Sequence, residues 1–143
     1  MEIFGIPIQA FMGQLMLGLV NGSFYAMLSL GLAVIFGLLG IVNFAHGALY
    51  MLGAFVGYSL THLTGNFWLA LAGAPVAVGL FGAAFELAIL RRLYRRDAHA
   101  FLMVTFGLAL VVGEAVRLTW GSDALQVPAP PLLAGVIFLL DEP

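Results

Sequence analysis

One charge-free stretch constrains this sequence more than any other feature. No Asp, Glu, Lys or Arg occurs between Glu2 and Glu86. The stretch is far too long to be one buried element of a soluble domain, whereas a membrane helix needs about 20 mostly apolar residues to cross a hydrocarbon core of about 30 Å. At about 1.5 Å of rise per helical residue, it has length for three or four crossings. We therefore predict an integral membrane protein.

Composition supports this prediction and limits the chemistry that the chain can perform. The chain is 63% hydrophobic and 8% charged, and its 18 glycines are typical of membrane helices. Cysteine is absent, which excludes disulfides, thiolate metal sites and a Cys nucleophile. The net charge is -2 and no basic stripe occurs, so we expect contact with membrane lipid and no binding of nucleic acid.

Clusters of Gly, Asn and His divide the apolar sequence into separate runs. The runs cover residues 11–41, 48–63, 67–90 and 101–120. They predict an all-α, polytopic integral membrane protein with about four transmembrane helices. The first run is long enough to tilt strongly or to contain a broken or re-entrant piece near Gly37 and Gly40, and the second is rather short. The exact number of crossings therefore stays open.

The arginines indicate the orientation in the membrane. Residues 91–97, called the arginine loop below, hold four of the five basic residues. The positive-inside rule places this short loop in the cytoplasm. With three spans before the loop, the N-terminus is expected outside, and a fourth span returns the chain to the outer side near the proline-rich residues 128–131.

Small residues recur at the spacing that lets membrane helices approach closely. They are Gly18, Gly22 and Ala26 in the first run, and Gly53 and Gly57 in the second. Generic bundle packing explains such faces without a functional role. Pro75 lies inside the third run and is expected to kink it or to mark a break.

The NFAHG segment (Asn43-Phe44-Ala45-His46-Gly47) is the one polar, turn-like break within the apolar block. At membrane depth, irregular backbone is tolerated where it is buried in protein or lines a cavity, so its polar groups are functional candidates. Alternatively, Asn43 caps a helix that starts near Ala45, and His46 satisfies a neighbouring group. We expect Gly47 to supply a positive φ at the turn.

A second polar patch consists of Asn21, Ser23 and Tyr25 in the first run. These side chains have the right chemistry to form hydrogen bonds across helices, which would be a structural role. We favour this structural role, and the alternative is a place for Ser23 and Tyr25 on a functional path.

The charged side chains give no catalytic pattern. Glu114 and Arg117 are three residues apart on the fourth helix, so we expect them to pair near the membrane interface. Glu86 lies just over one turn before Arg91 and is expected to be interfacial as well. No second carboxylate stands at catalytic spacing, and the His residues form no ligand cluster. We predict no enzyme activity, no catalytic residue, no cofactor and no metal site.

The C-terminal sequence VIFLLDEP, residues 136–143, looks like the Walker B end of an ABC ATPase. A nucleotide site also requires a Gly-rich loop with its Lys, and this chain contains no Lys. We interpret the tail as a short apolar piece that ends in Asp-Glu-Pro.

An ordered series of motifs points to one family. It consists of GSFYA at residues 22–26, Gly31, GLLGIVNFAHG at residues 37–47, LGA at residues 52–54, Glu86, the arginine loop, TFGL at residues 105–108 and RLTWGS at residues 117–122. Together these motifs resemble the N-terminal part of the permease subunits of branched-chain amino acid ABC transporters, the LivH type. The resemblance covers nearly the whole chain.

The resemblance implies a multi-pass subunit of the bacterial inner membrane that forms part of the translocation path for Leu, Ile or Val. The implied partners are a second permease subunit of the LivM type, two cytoplasmic ABC ATPase subunits and a periplasmic solute-binding protein. ATP hydrolysis in other subunits would drive the permease between inward-open and outward-open states. The candidate path or motif residues are Ser23, Tyr25, Asn43, Phe44, His46 and Gly47.

Permeases of this type are longer than this chain. Residues 1–143 therefore resemble the N-terminal half of the transmembrane domain, and the segment that engages the ATPase belongs to the other half. Urea and short-chain amide permeases share the same motifs and stay alternatives. A further alternative is a non-transporting membrane assembly subunit that uses its Gly faces only for helix contacts.

Overall fold

The computed structural model describes residues 2–3, 6–40, 42–93, 98–128 and 130. Part of the arginine loop and the Walker-B-like tail lie outside the described residues. Two short strands, β1 (Glu2–Ile3) and β2 (Ile6–Pro7), pair antiparallel, and all other regular structure in the described part is helical. The predicted all-α class is confirmed.

Four long helices follow the four apolar runs. They are α1 (Ile8–Leu39), α2 (Ala45–Thr64), α3 (Phe67–Phe85) and α5 (Ala98–Trp120). Between α3 and α5, the chain continues through a π-helical turn (Glu86–Leu90) and the three-residue α4 (Arg91–Leu93). The polar clusters that divide the sequence therefore mark real helix ends.

Glycine and asparagine explain where these helices stop and start. Gly40, Gly65 and Gly121 follow α1, α2 and α5 with φ of 64°, 65° and 83°, a conformation that residues with a Cβ adopt at a cost. Each donates its N–H to the carbonyl oxygen four residues earlier. Asn66 then starts α3, since its Oδ1 accepts from the N–H groups of the second and third helical residues at 2.9 and 3.3 Å.

Three described helical segments are long and apolar enough to cross a membrane. They are Ile8–Leu38, Phe67–Leu93 and His99–Trp120, with mean hydropathies of 1.8, 1.8 and 1.9. The 20 residues of α2 also measure about 30 Å, but they include more polar side chains. These are His46, Tyr50, Tyr58, Ser59, Thr61, His62 and Thr64. The crossing by α2 stays a prediction.

Helices α2 and α3 form the closest pair in the bundle. An ideal Cβ at Gly57 would lie 3.6 Å from the Cβ of Ala74, and one at Gly53 would lie 3.8 Å from Cγ2 of Val78. Both glycines thus face α3, as the small-residue pattern predicts. On α1, by contrast, a Cβ at Gly18 would meet no described atom within 4 Å.

Of the alternatives that the sequence leaves open for α1 and α3, the helix breaks do not occur in the described residues. Helix α1 runs through Gly37 to Leu39, so the broken or re-entrant piece expected near Gly37 and Gly40 is absent from the described residues, and Gly40 simply ends the helix. Helix α3 is continuous across Pro75. The first apolar run is therefore one long helix, most of whose side chains are exposed.

Helix α5 is held against α2 by a buried face and by one polar contact. Its buried face is formed by Phe101, Thr105, Val112 and Val116. At its C-terminal end, Nε1 of Trp120 donates to Oγ of Ser59 at 2.8 Å, and that hydroxyl donates to the carbonyl oxygen of Phe55 at 3.0 Å. The ring centroids of Phe55 and Trp120 also lie 5.5 Å apart. The α2 turn that contains Phe55 and Ser59 thus contacts the C-terminal end of α5.

Ser59→Ala should lower the free energy of unfolding by about 1 to 2 kcal/mol, because the part-buried Trp120 N–H loses its acceptor. Thermal unfolding of the purified chain in lipid nanodiscs measures the change. The matched control is Ser23→Ala, whose hydroxyl donates to a carbonyl of its own helix on an exposed face. Equal melting temperatures for the two variants would contradict this role of Ser59.

Candidate functional site

The NFAHG segment forms the junction between α1 and α2. Oδ1 of Asn43 accepts a hydrogen bond from the N–H of Ala45 at 3.0 Å, and Ala45 is the first residue of α2. This bond satisfies one of the N–H groups that every helix start leaves without an intrahelical partner. The N-cap position of α2 is occupied by Phe44, which makes no side-chain capping bond, so Asn43 supports the helix start from one residue earlier than the sequence interpretation places it.

His46 joins the start of α2 to the middle of α1. Its Nε2 lies 3.2 Å from the carbonyl oxygen of Leu28. A carbonyl oxygen can only accept, so Nε2 carries the hydrogen in this arrangement. An ideal Cβ at Gly31 would lie 2.8 Å from Cε1 and 2.9 Å from Nε2 of His46. The imidazole therefore occupies the space that a side chain at position 31 would need.

Gly31 is a residue whose role sequence reasoning misses. It belongs to the motif series that carries the family resemblance, but no spacing rule connects a glycine on one helix with a histidine 15 positions later. The sequence shows only that position 31 has no side chain. The structure adds that this position faces the His46 imidazole. Neighbouring α1 glycines, such as Gly22 and Gly37, have no described atom near an added Cβ.

Phe44 links the junction to α5. Its ring meets that of Phe106 edge to face, with centroids 6.1 Å apart and planes at 82°. Such aromatic pairs add stability beyond the area they bury. About half of Phe44 is nevertheless exposed.

Gly47 does not have the conformation that the sequence suggests. It lies inside the first turn of α2, and the positive-φ glycines of the described residues are Gly40, Gly65 and Gly121. The expected positive φ at Gly47 is therefore wrong. The residue with positive φ between the two helices is Gly40, and Gly47 has helical conformation within α2.

Ser23 and Tyr25 lie apart from the junction. Oγ of Ser23 donates to the carbonyl oxygen of Val20 at 2.7 Å, within its own helix. Tyr25 is 72% exposed. Neither residue lines a described cavity, whereas the other four candidate residues lie together.

Two small cavities flank Asn43. One, of about 270 Å³, lies between the NFAHG segment and α1. It is lined by Leu28, Ser29, Leu32, Val42, Asn43, Phe44, His46 and Gly47. The other, of about 210 Å³, lies between the ends of α1, α2, α3 and α5, and Asn43 lines it too. The irregular backbone of residues 42–44 thus borders these two spaces.

A third space differs from these two. It is an open groove of about 740 Å³ along α2 and α3, lined almost entirely by apolar and small side chains, with Tyr50, Tyr58 and Thr61 as its polar members. Among the residues searched, no group of three His, Cys, Asp or Glu side chains could hold a metal ion.

The predicted pair on α5 is confirmed. The Arg117 guanidinium donates to both carboxylate oxygens of Glu114, at 2.6 and 3.0 Å. The Arg117 side chain is 61% exposed and that of Glu114 is 53% exposed. The pair projects from the opposite face of α5 to the buried Val112 and Val116.

Comparison with known proteins identifies the family. The family described as "Branched-chain amino acid transport system / permease component" matches residues 14–137, which include the NFAHG segment and all four long helices in whole or in part. The chain belongs to this permease family. It is a family of transport proteins and not of enzymes, and together with the apolar helices it makes the chain a multi-pass membrane protein.

Several curated relatives carry the same family name. The chain is 28% identical over 134 residues to the permease protein BraD of Pseudomonas aeruginosa, covering 87% of this chain and 43% of BraD. It is 30% identical over 130 residues to LivH of Escherichia coli, covering 83% of this chain and 42% of LivH. It is also 30% identical over 112 residues to LivM of Escherichia coli, covering 76% of this chain and 26% of LivM.

These relatives are all named high-affinity branched-chain amino acid transport system permease proteins. The chain spans less than half the length of each of them. No solved structure matches this permease chain.

Proposed function

We propose that this chain is part of a permease subunit of an ABC importer and contributes to the translocation path for the branched-chain amino acids Leu, Ile and Val. The observation that carries the proposal is the family match across the NFAHG segment. The cavities beside this segment support it, because substrate paths need internal space bordered by a few polar groups. The candidate path residues are Asn43, Phe44, His46 and Gly47 at the junction of α1 and α2. Ser23 and Tyr25, which are exposed on α1, are candidates as well.

Residues 1–143 make up the N-terminal half of the permease domain in this proposal. The partners are a second permease subunit of the LivM type, two cytoplasmic ATPases and a periplasmic solute-binding protein, all at the bacterial inner membrane. The open face of α1 around Gly18 and Gly22 supports a protein neighbour there, since small residues let membrane helices approach closely. ATP binding and hydrolysis belong to the ATPase partners.

Uptake of radiolabelled leucine, isoleucine and valine by vesicles that contain the complete assembly tests this function. ATP-dependent uptake that requires this chain is expected. Uptake of urea or short amides instead of the amino acids would reassign the substrate. Assembly of the complex without a contribution of this chain to any uptake would favour an assembly subunit.

The arginine loop is expected to face the cytoplasm. Asn43 and Leu90 line the same cavity, so the NFAHG segment lies at the arginine-loop end of the bundle and is expected near the cytoplasmic side as well. Because the chain has no Cys, the variants His99→Cys and Ala124→Cys each carry one thiol. In intact cells, an impermeant thiol reagent should label the second variant only. Labelling of the first variant alone would invert the topology.

A further inference from the structure

The cavity of about 210 Å³ combines apolar walls with polar groups from separate elements. It is lined by residues at the ends of α1 and α3, at the starts of α2 and α5, and in the π-helical turn. The apolar lining includes Ile35, Leu49, Phe85, Leu90 and Phe101. The polar lining residues are Asn43, Glu86 and Thr105.

Glu86 supplies a carboxylate at the edge of this apolar space. It is the first residue of the π-helical turn and is only partly exposed. Among the residues that the structure describes, its side chain has no hydrogen bond and no ion pair. A carboxylate beside apolar walls is costly unless a donor or a cation approaches it, and π-helical turns are frequent at functional sites. The position therefore suits a cationic group of a ligand.

Asn43 supplies the opposite kind of group. Its Oδ1 accepts the N–H of Ala45, whereas no described residue accepts a hydrogen bond from its Nδ2. The two Nδ2 hydrogens can therefore be donated to an anionic group. Thr105 is 0% exposed and gives its hydroxyl hydrogen to the carbonyl oxygen of Leu102, so it offers only acceptor capacity.

We propose that this cavity is a binding subsite for a zwitterionic amino acid with an aliphatic side chain. The Glu86 carboxylate binds the ammonium group, the Asn43 amide donates to the carboxylate, and the apolar walls contact the side chain. The assignment rests on the proposed function and deepens it. It also distinguishes amino acids from urea and short amides, because those neutral molecules have neither the ammonium group nor the carboxylate that Glu86 and Asn43 would bind.

Binding of radiolabelled L-leucine to the purified chain in lipid nanodiscs tests the subsite, with scintillation proximity as the readout. Glu86→Gln should weaken leucine binding about ten- to a hundredfold, because a charge-assisted hydrogen bond is lost. The matched control is Glu114→Gln, which makes the same change at a carboxylate on an exposed face of α5 outside the cavity. It should leave leucine binding within about twofold, as is usual for exposed ion pairs.

Competition by analogues assigns each end of the ligand without relying on one variant. Isoamylamine, which lacks the carboxylate, should compete with leucine on the wild-type chain and lose this ability in Glu86→Gln. Isocaproate, which lacks the ammonium group, should compete equally well on both proteins, and urea should not compete. Absence of saturable leucine binding to the wild-type chain would overturn the proposal. Equal weakening of both analogues by Glu86→Gln, or competition by urea, would overturn it too.

The proposed function can fail separately from the subsite. If the complete assembly takes up branched-chain amino acids equally well with the wild-type chain and with the Glu86→Gln variant, the function stands and the subsite is wrong. If the assembly takes up none of these amino acids while the chain is correctly incorporated, the function itself is wrong.

Discussion

Gly31→Ala should separate α1 from the start of α2 and reduce leucine uptake by the complete assembly about tenfold. The added Cβ would lie 2.8 Å from Cε1 of His46, closer than such atoms approach, so the imidazole has to move. The hydrogen bond from Nε2 to the carbonyl oxygen of Leu28 is then lost. Overpacking and the lost hydrogen bond together should lower the free energy of unfolding by about 2 to 4 kcal/mol.

Two controls on the same helix make this prediction specific. Gly13→Ala and Gly37→Ala add the same methyl group where no described atom lies within 4 Å of it. Both should be neutral or slightly stabilising, because alanine favours helix over glycine. A melting temperature of Gly31→Ala equal to that of the controls would show that position 31 has no such contact.

A double-mutant cycle tests the contact itself. If the cost of Gly31→Ala arises from the His46 imidazole, the variant that combines it with His46→Ala should be about as stable as His46→Ala alone. Additive losses would contradict direct contact. His46→Gln should retain much of the uptake, since its side chain keeps a hydrogen-bond donor of similar reach.

The sequence predicts the helices of this chain well because their ends depend on local chemistry. The apolar runs need about 20 residues to cross lipid, and glycine and asparagine end or start helices through their own backbone and side-chain preferences. Gly65 and Asn66 illustrate this, since one ends α2 and the other caps α3 within two positions. The Glu114–Arg117 pair is equally local, because residues three apart on a helix are neighbours.

The contacts between helices are less accessible from the sequence. The partner of Gly31 is 15 positions away, and the partner of Trp120 is Ser59 on another helix. The polar break favours a positive φ at the glycine that follows it, Gly47, yet Gly40 makes the turn. Sequence spacing also leaves Glu86 as an interfacial charge, whereas the structure adds its position at a cavity that four long helices share.

Asn43→Leu should abolish most leucine uptake, by about tenfold or more, while the subunit still assembles with its partners. Leucine removes the hydrogen bond to the N–H of Ala45, which is worth about 0.5 to 1.5 kcal/mol, and also the Nδ2 group beside the cavity. Two different losses therefore coincide in this variant. A second substitution is needed to separate the hydrogen bond to Ala45 from the proposed contact with the substrate carboxylate.

Asn43→Asp separates these two roles. Aspartate keeps an oxygen that can accept from the N–H of Ala45, and its negative charge is favourable at the start of a helix. The melting temperature and the co-purification of partners should therefore stay close to wild type. Leucine uptake should nevertheless decrease about tenfold, because the aspartate has no hydrogens to donate and repels the substrate carboxylate. Wild-type uptake by this stable variant would limit the role of Asn43 to its hydrogen bond with Ala45 at the start of α2.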